Sequence, residues 1–297
     1  MSEVFYLSQQ TPGINHTDAK YVNITFTNGS TTVTTNGHPE KFPDLTLQTA
    51  ATVSGGTLII PAGGNRTTRV YLNQYIDNLM RLDLLPSATK YKCKFFATKI
   101  QRHLNTTNNT NNERLFQYGD QGTGGAGGTT GGWVARINNG TSAPDGALQF
   151  AMHTEYNPLI TKPGAQGDAI HPDPIALTPI AYSNAQWEAG LSIVCAVDMT
   201  VPGQVTSSIY IDGSLVATDT KVITRWAIPG ISTNGPGNNS TSNGFVLFNQ
   251  SVNQDSSPLL DSTVWPIWFG EAQNAAQLAS IASKLYADPF TNPYSRS

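Results

Sequence analysis

Between Tyr91 and Phe269 the apolar residues come in short alternating runs, each cut off by Gly, Pro or Asn, and this spacing constrains the fold more than any other feature. Side chains of a strand change face at every residue, so such runs read as strands with one buried face. They are Tyr91 to Ile100, Leu115-Phe116-Gln117-Tyr118, Trp133 to Ile137, Ala147 to His153, Leu191 to Asp198, Ser207 to Val216, Phe245 to Phe248 and Ile267-Trp268-Phe269. Many short strands joined by turns predict an antiparallel jelly-roll β-sandwich over residues 78–297. One helix is expected, over Ala272 to Ala287, where Ala275, Leu278, Ile281, Ala282 and Leu285 recur at helical spacing and Pro289 follows.

Residues 1–77 differ in composition, being rich in Thr, Asn and Gly. Their β-like runs, Tyr21 to Thr27, Thr31 to Thr35 and Thr57 to Ile60, are separated by Asn28-Gly29, Asn36-Gly37 and Gly55-Gly56. Asn28-Gly29 between two Thr-rich runs is a hairpin signal. This segment reads as an N-terminal β-rich arm or small domain, resting on the sandwich or on a neighbouring subunit. Residues 69–85 fit both a helical and a strand period and are read as a short helix or turn, then a strand ending before Pro86.

Only 12% of the 297 residues are charged, and the formal net charge is −3. A nucleic-acid binder shows a basic excess, so nucleic acid is excluded as the expected partner. No apolar run reaches the roughly 20 residues of a membrane-spanning helix, so no membrane insertion is expected. The first ten residues lack a basic region followed by an apolar one, so no Sec signal is expected there. Cys93 and Cys195 each sit in an alternating run and read as inward, free core residues.

The order of residues 187–270 carries a resemblance. Trp187 precedes the alternating Leu191, Ile193, Cys195 and Val197; a turn at Pro202-Gly203 follows, then Tyr210-Ile211-Asp212-Gly213, in which Asp212-Gly213 suits a type I′ hairpin tip. Trp268-Phe269-Gly270 and the tail Leu285-Tyr286-Ala287-Asp288-Pro289-Phe290 complete the pattern. Residues 78–297 thereby resemble the laminin-G-like, concanavalin A-like lectin/glucanase β-sandwiches of the kind found in bacteriophage structural proteins. That resemblance implies a non-enzymatic virion component, a capsid decoration, fibre or tail-associated adhesin. Its partners would be other virion proteins or itself as a symmetric oligomer, with host-surface glycan as a further one. The alternatives are a lectin-like carbohydrate-binding module and a divergent glycoside hydrolase.

Glycosidases need two carboxylates flanking the scissile bond, commonly from one strand face. Among the 20 Asp and Glu residues no two are two apart, and the one pair four apart, Glu40 and Asp44, has Pro43 between them. There is no Gly-x-Ser-x-Gly, His-Glu-x-x-His or Cys-x-x-Cys. Gly122 to Gly127 matches Gly-x-Gly-x-x-Gly, but more glycines and a strand follow it where a dinucleotide site needs a helix. His153 and Glu155 share a strand face without a third ligand, so neither metal nor cofactor is expected. The chain reads as a binding protein. Trp226, Trp265, Trp133 and Tyr156 are the candidate glycan or partner contacts, as aromatic platforms. Lys90, Lys92 and Lys94 alternate with Tyr91, Cys93 and Phe95 and form a candidate basic contact face, or else a solvated one.

Overall fold

Alternating patterns of this kind need a second layer to bury their apolar face, and in the computed structural model that layer is another sheet. The structure describes residues 21–27, 30–35, 38–39, 51–62, 70–71, 93–103, 113–119, 132–137, 146–153, 175–177, 181–201, 204–222, 245–248 and 259–294. In chain order the strands begin with β1 (Tyr21–Thr27), β2 (Ser30–Thr35), β3 (His38–Pro39), β4 (Thr52–Ser54), β5 (Thr57–Ile60) and β6 (Val70–Tyr71). Next come β7 (Cys93–Arg102), β8 (Glu113–Gly119), β9 (Gly132–Ile137), β10 (Leu148–His153) and β11 (Ile175–Leu177). Helix α1 (Asn184–Ala189) leads into β12 (Leu191–Asp198), β13 (Gln204–Ile211) and β14 (Ser214–Val222). The chain continues through β15 (Phe245–Leu247), β16 (Ser262–Val264), β17 (Ile267–Ala272) and α2 (Ala275–Ala287).

An 11-stranded sheet runs β14-β13-β12-β7-β17-β1-β2-β3, with β16, β5 and β4 branching from β7. β17 lies along the first part of β7 and β16 along its end. A 6-stranded sheet, β11-β10-β9-β8-β15-β6, stacks on it. Between the sheets lie Ile24, Phe96, Ile100, Phe116, Phe150, Ile193, Cys195, Ile209 and Phe269, all buried. Phe96 is the hinge of this layer, with ring centroids of Phe116 and Phe269 at 4.5 and 5.3 Å. Each such side chain contributes about 1.5–3 kcal/mol by leaving water.

The other face of the large sheet is covered too. Cys93, Phe95, Ala97, Val194, Tyr210 and Trp268 pack under Leu278, Ile281, Ala282 and Leu285 of α2. α2 begins where the Asn274 side chain accepts the Gln277 N–H at 3.0 Å. Ala272, expected as the first helical residue, instead ends β17 opposite Cys93. The helix is therefore the third layer of the fold.

Double coverage corrects the one-sided reading of the lysine strand. Lys94 shares the inter-sheet side of β7 with Phe96, is only 7% exposed, and pairs with Glu271 on β17. It is no part of an open basic face; Lys90 and Lys92 lie outside the described residues. The two cysteines are free, and they point into different layers, Cys195 between the sheets and Cys93 towards α2.

Trp187, which precedes the β12 run in the sequence, sits on α1. Ser183 and Gln186 form a capping box there, the Ser183 Oγ accepting from the Gln186 N–H and the Gln186 side chain from the Ser183 N–H. Trp187 is buried and donates from Nε1 to the Gly146 carbonyl at 3.2 Å. The Asp212-Gly213 hairpin stands as expected, with φ of 48° and 81°, Ile209 and Ile211 facing the sheets' interior and Tyr210 facing α2. β1 and β2 pair with Thr27 opposite Ser30, the register a hairpin through Asn28-Gly29 requires.

Candidate functional site

On the outer face of the smaller sheet, two arginines stand side by side. The register sets Arg114 of β8 opposite Arg136 of β9, and Arg136 opposite Gln149 of β10. Ala135, Ile137, Leu148 and Phe150 fill the inter-sheet core, so by alternation Arg136 and Gln149 project from the opposite face. A register shift between Arg114 and Phe116 lets Leu115 and Phe116 both turn inward while Arg114 stays on the outer side.

Arg136 is partly exposed and its Nε donates to Gln149 Oε1 at 2.6 Å. Arg114 is 5% exposed, and its Nε and Nη1 have no hydrogen-bond partner among the described residues. Burial, and then the neighbouring Arg136 charge, push the Arg114 pKa down to about 9. Burial also lowers that of Arg136. A guanidinium does not give up its proton near neutrality, so the pair holds two positive charges at close quarters. Val134, also on this face, is buried and belongs to neither apolar core.

Six of the described carboxylates are engaged in holding the fold. Asp212 accepts from the Ser192 N–H and Asp198 from the Thr200 N–H and hydroxyl. Glu113, on the inter-sheet side opposite Ile137, pairs with Arg102 at 2.8 Å, and the Arg102 guanidinium lies 5.4 Å from the Trp187 ring. Glu271 pairs with Lys94 and Asp219 with Lys221. Asp288 accepts from the Phe290 N–H at 2.9 Å.

Of the residues singled out in the sequence, Trp265 falls in the turn between β16 and β17 and is partly exposed. Its N–H donates to the Lys99 carbonyl at 3.0 Å, its carbonyl accepts from Thr98 Oγ1 at 3.1 Å, and the Lys99 ammonium sits 5.2 Å from its ring centroid. A cation thus occupies the ring that was expected to be an open platform. Trp133 is a β9 residue whose side chain is outside the described structure, and Trp226 and Tyr156 lie outside it altogether. Glu155, the companion of His153, is also outside it. Among the described residues no group of three or more His, Cys, Asp and Glu is arranged to hold a metal ion.

No family model and no curated protein sequence matches the chain. Solved structures do match. The botulinum neurotoxin type G receptor binding domain is 12% identical over 91% of this chain and 51% of its own, with a TM-score of 0.49. A botulinum neurotoxin serotype D/C binding domain is 12% identical over 86% of this chain and 48% of its own, at 0.44. The CBM40 of Ruminococcus gnavus IT-sialidase, bound to α2,3 sialyllactose, is 8% identical over 73% of this chain and 96% of its own, at 0.40. The chain spans about half the length of the toxin domains it matches. At these identities and scores the likeness carries no argument about ligand or activity.

Proposed function

We propose that this chain is a non-enzymatic, lectin-like module that binds glycan on the outer face of its 6-stranded sheet. The observation behind this reading is the row Arg114, Arg136 and Gln149. Planar guanidinium groups fixed on rigid strands are suited to donating hydrogen bonds to sugar oxygens, with the buried Gln149 holding Arg136 in place, and six of the described carboxylates are engaged within the fold. No described feature favours a virion or self-assembly role over it.

Glycan-array binding of the full chain, followed by calorimetry on the hits, tests the reading. Saturable binding that Gln149→Ala or Arg136→Ala weakens, with no product released from the bound glycans, is expected. Turnover of any bound glycan overturns the non-enzymatic part. Absence of binding across neutral and acidic glycans overturns the whole.

A further inference from the structure

The geometry points to an oxyanion seat at Arg114 and Arg136, which receives the carboxylate or sulfate group of an acidic sugar. This rests on the glycan reading above and narrows it to a chemical class. Two guanidinium groups directly opposite one another on adjacent strands repel. The nearest acid in sequence, Glu113, belongs to the other face of the sheet and is already paired with Arg102. Gln149 gives Arg136 one neutral acceptor and no charge.

Arg114 makes the stronger case. A buried cation without hydrogen-bond acceptors is among the most unfavourable arrangements a folded chain can hold. Nε and Nη1 of Arg114 are in that condition among the described residues. An oxyanion set against the pair supplies together the acceptors and the negative charge that the described residues do not provide there, through charge-assisted hydrogen bonds. A neutral sugar hydroxyl or a water molecule supplies acceptors alone. Arg136, partly exposed, gives the seat its edge towards solvent, and its bond to Gln149 fixes its orientation before the ligand arrives.

The test is calorimetry of the full chain at low salt with two pairs of probes, each pair differing in one group: a glucuronate-terminated oligosaccharide and a 6-sulfated galactose-terminated one, each beside its neutral counterpart. We expect at least one acidic probe to bind about ten-fold or more tightly than its neutral counterpart, as charge-assisted bonds imply. That preference should vanish in Arg136→Gln and Arg114→Gln, and fall as salt rises. Which acidic probe is preferred separates carboxylate from sulfate. Should Arg114→Gln fail to fold, the partly exposed Arg136 carries the test, with Arg136→Lys keeping part of the preference. Equal affinity for acidic and neutral probes overturns the seat and leaves the glycan reading standing. A preference unchanged in Arg136→Gln places the anion elsewhere and also overturns it. No binding of either acidic probe overturns the seat, while the glycan reading stands or falls on the array.

Discussion

Asp212 and Ser192 are joined twice: the Asp212 N–H donates to the Ser192 carbonyl at 2.9 Å, and the Ser192 N–H donates to the Asp212 carboxylate at 2.9 Å. The side chain thus extends the β12–β13 ladder by one step just where the chain turns into the hairpin. Asp212→Ala should cost about 1–3 kcal/mol, because the Ser192 N–H loses its acceptor. Asp212→Asn should cost far less, since Asn keeps an acceptor and tolerates the positive φ. Gly213→Val should be as harmful as Asp212→Ala, with φ at 81° and the Ser283 Cα of α2 3.4 Å from its Cβ position. Urea unfolding of the three variants checks the order; equal midpoints for Asp212→Ala and Asp212→Asn would remove the ladder role.

Tyr294 lies over Gly270 so closely that a Cβ there would overlap its hydroxyl, and Phe95 closes the same space at 2.9 Å. Tyr294 also stacks on Tyr21 at 4.5 Å and donates to the Glu271 carbonyl at 3.1 Å. Gly270→Ala should therefore push the C-terminal segment off the sheet and cost about 1–3 kcal/mol, as overpacking does. Combining it with Tyr294→Ala should add much less than the sum of the two. Additive thermal shifts in that cycle would show that the ring does not depend on the glycine.

Buried acids make the fold sensitive to alkali. Burial, and then the Asp198 charge, raise the Cys93 pKa from 9.0 to about 12. Burial raises that of Cys195, and burial and the Glu271 charge raise that of Tyr294. Each group holds its proton more tightly folded than unfolded, so the stability linked to it is complete below about pH 9 and declines as pH rises towards the folded value. Denaturation midpoints should be level from pH 7 to about 8.5 and then fall, with a shallower fall in Cys195→Val. Both thiols should resist a disulfide reagent at pH 8 until denaturant is added. Rapid labelling of the native chain would contradict their burial.

The strands and the hairpin were legible because alternation and Asp212-Gly213 are local signals. Lys94 misled because alternating Lys and apolar residues normally mark a half-exposed strand, whereas α2 and the second sheet close over both sides of β7. Ser183 and Gln186 carry the helix-start spacing that places Trp187 on α1, a short local signal beside a much stronger strand pattern. Arg136 stood as the one charge in the run Trp133 to Ile137, and Arg114 beside Leu115-Phe116. What joins them is β8–β9 pairing across residues 120–131, a long-range register that local periodicity does not encode.

The chain's division at residue 77 leads to the last prediction. β1 does not border the large sheet; it lies between β17 and β2, with Ile24 opposite Ile267 and the Asn23 side chain donating to the Ile267 carbonyl at 3.1 Å. Val22, Ile24 and Phe26 are 0%, 1% and 2% exposed, and Leu58 and Ile60 of β5 are buried beside β16. At about 1.5–3 kcal/mol for each of these side chains, their removal approaches the whole stability of an ordinary domain, about 5–15 kcal/mol. It also strips β17 of one of its two partners and leaves an apolar edge open to other chains. We therefore expect residues 78–297 alone to aggregate or to unfold without cooperativity, and Ile24→Ala in the full chain to cost about 2–5 kcal/mol. Size-exclusion chromatography and thermal circular dichroism read both. A monodisperse 78–297 fragment with a sharp transition near that of the full chain would show that the sandwich closes without β1, and that residues 1–77 are a separable arm.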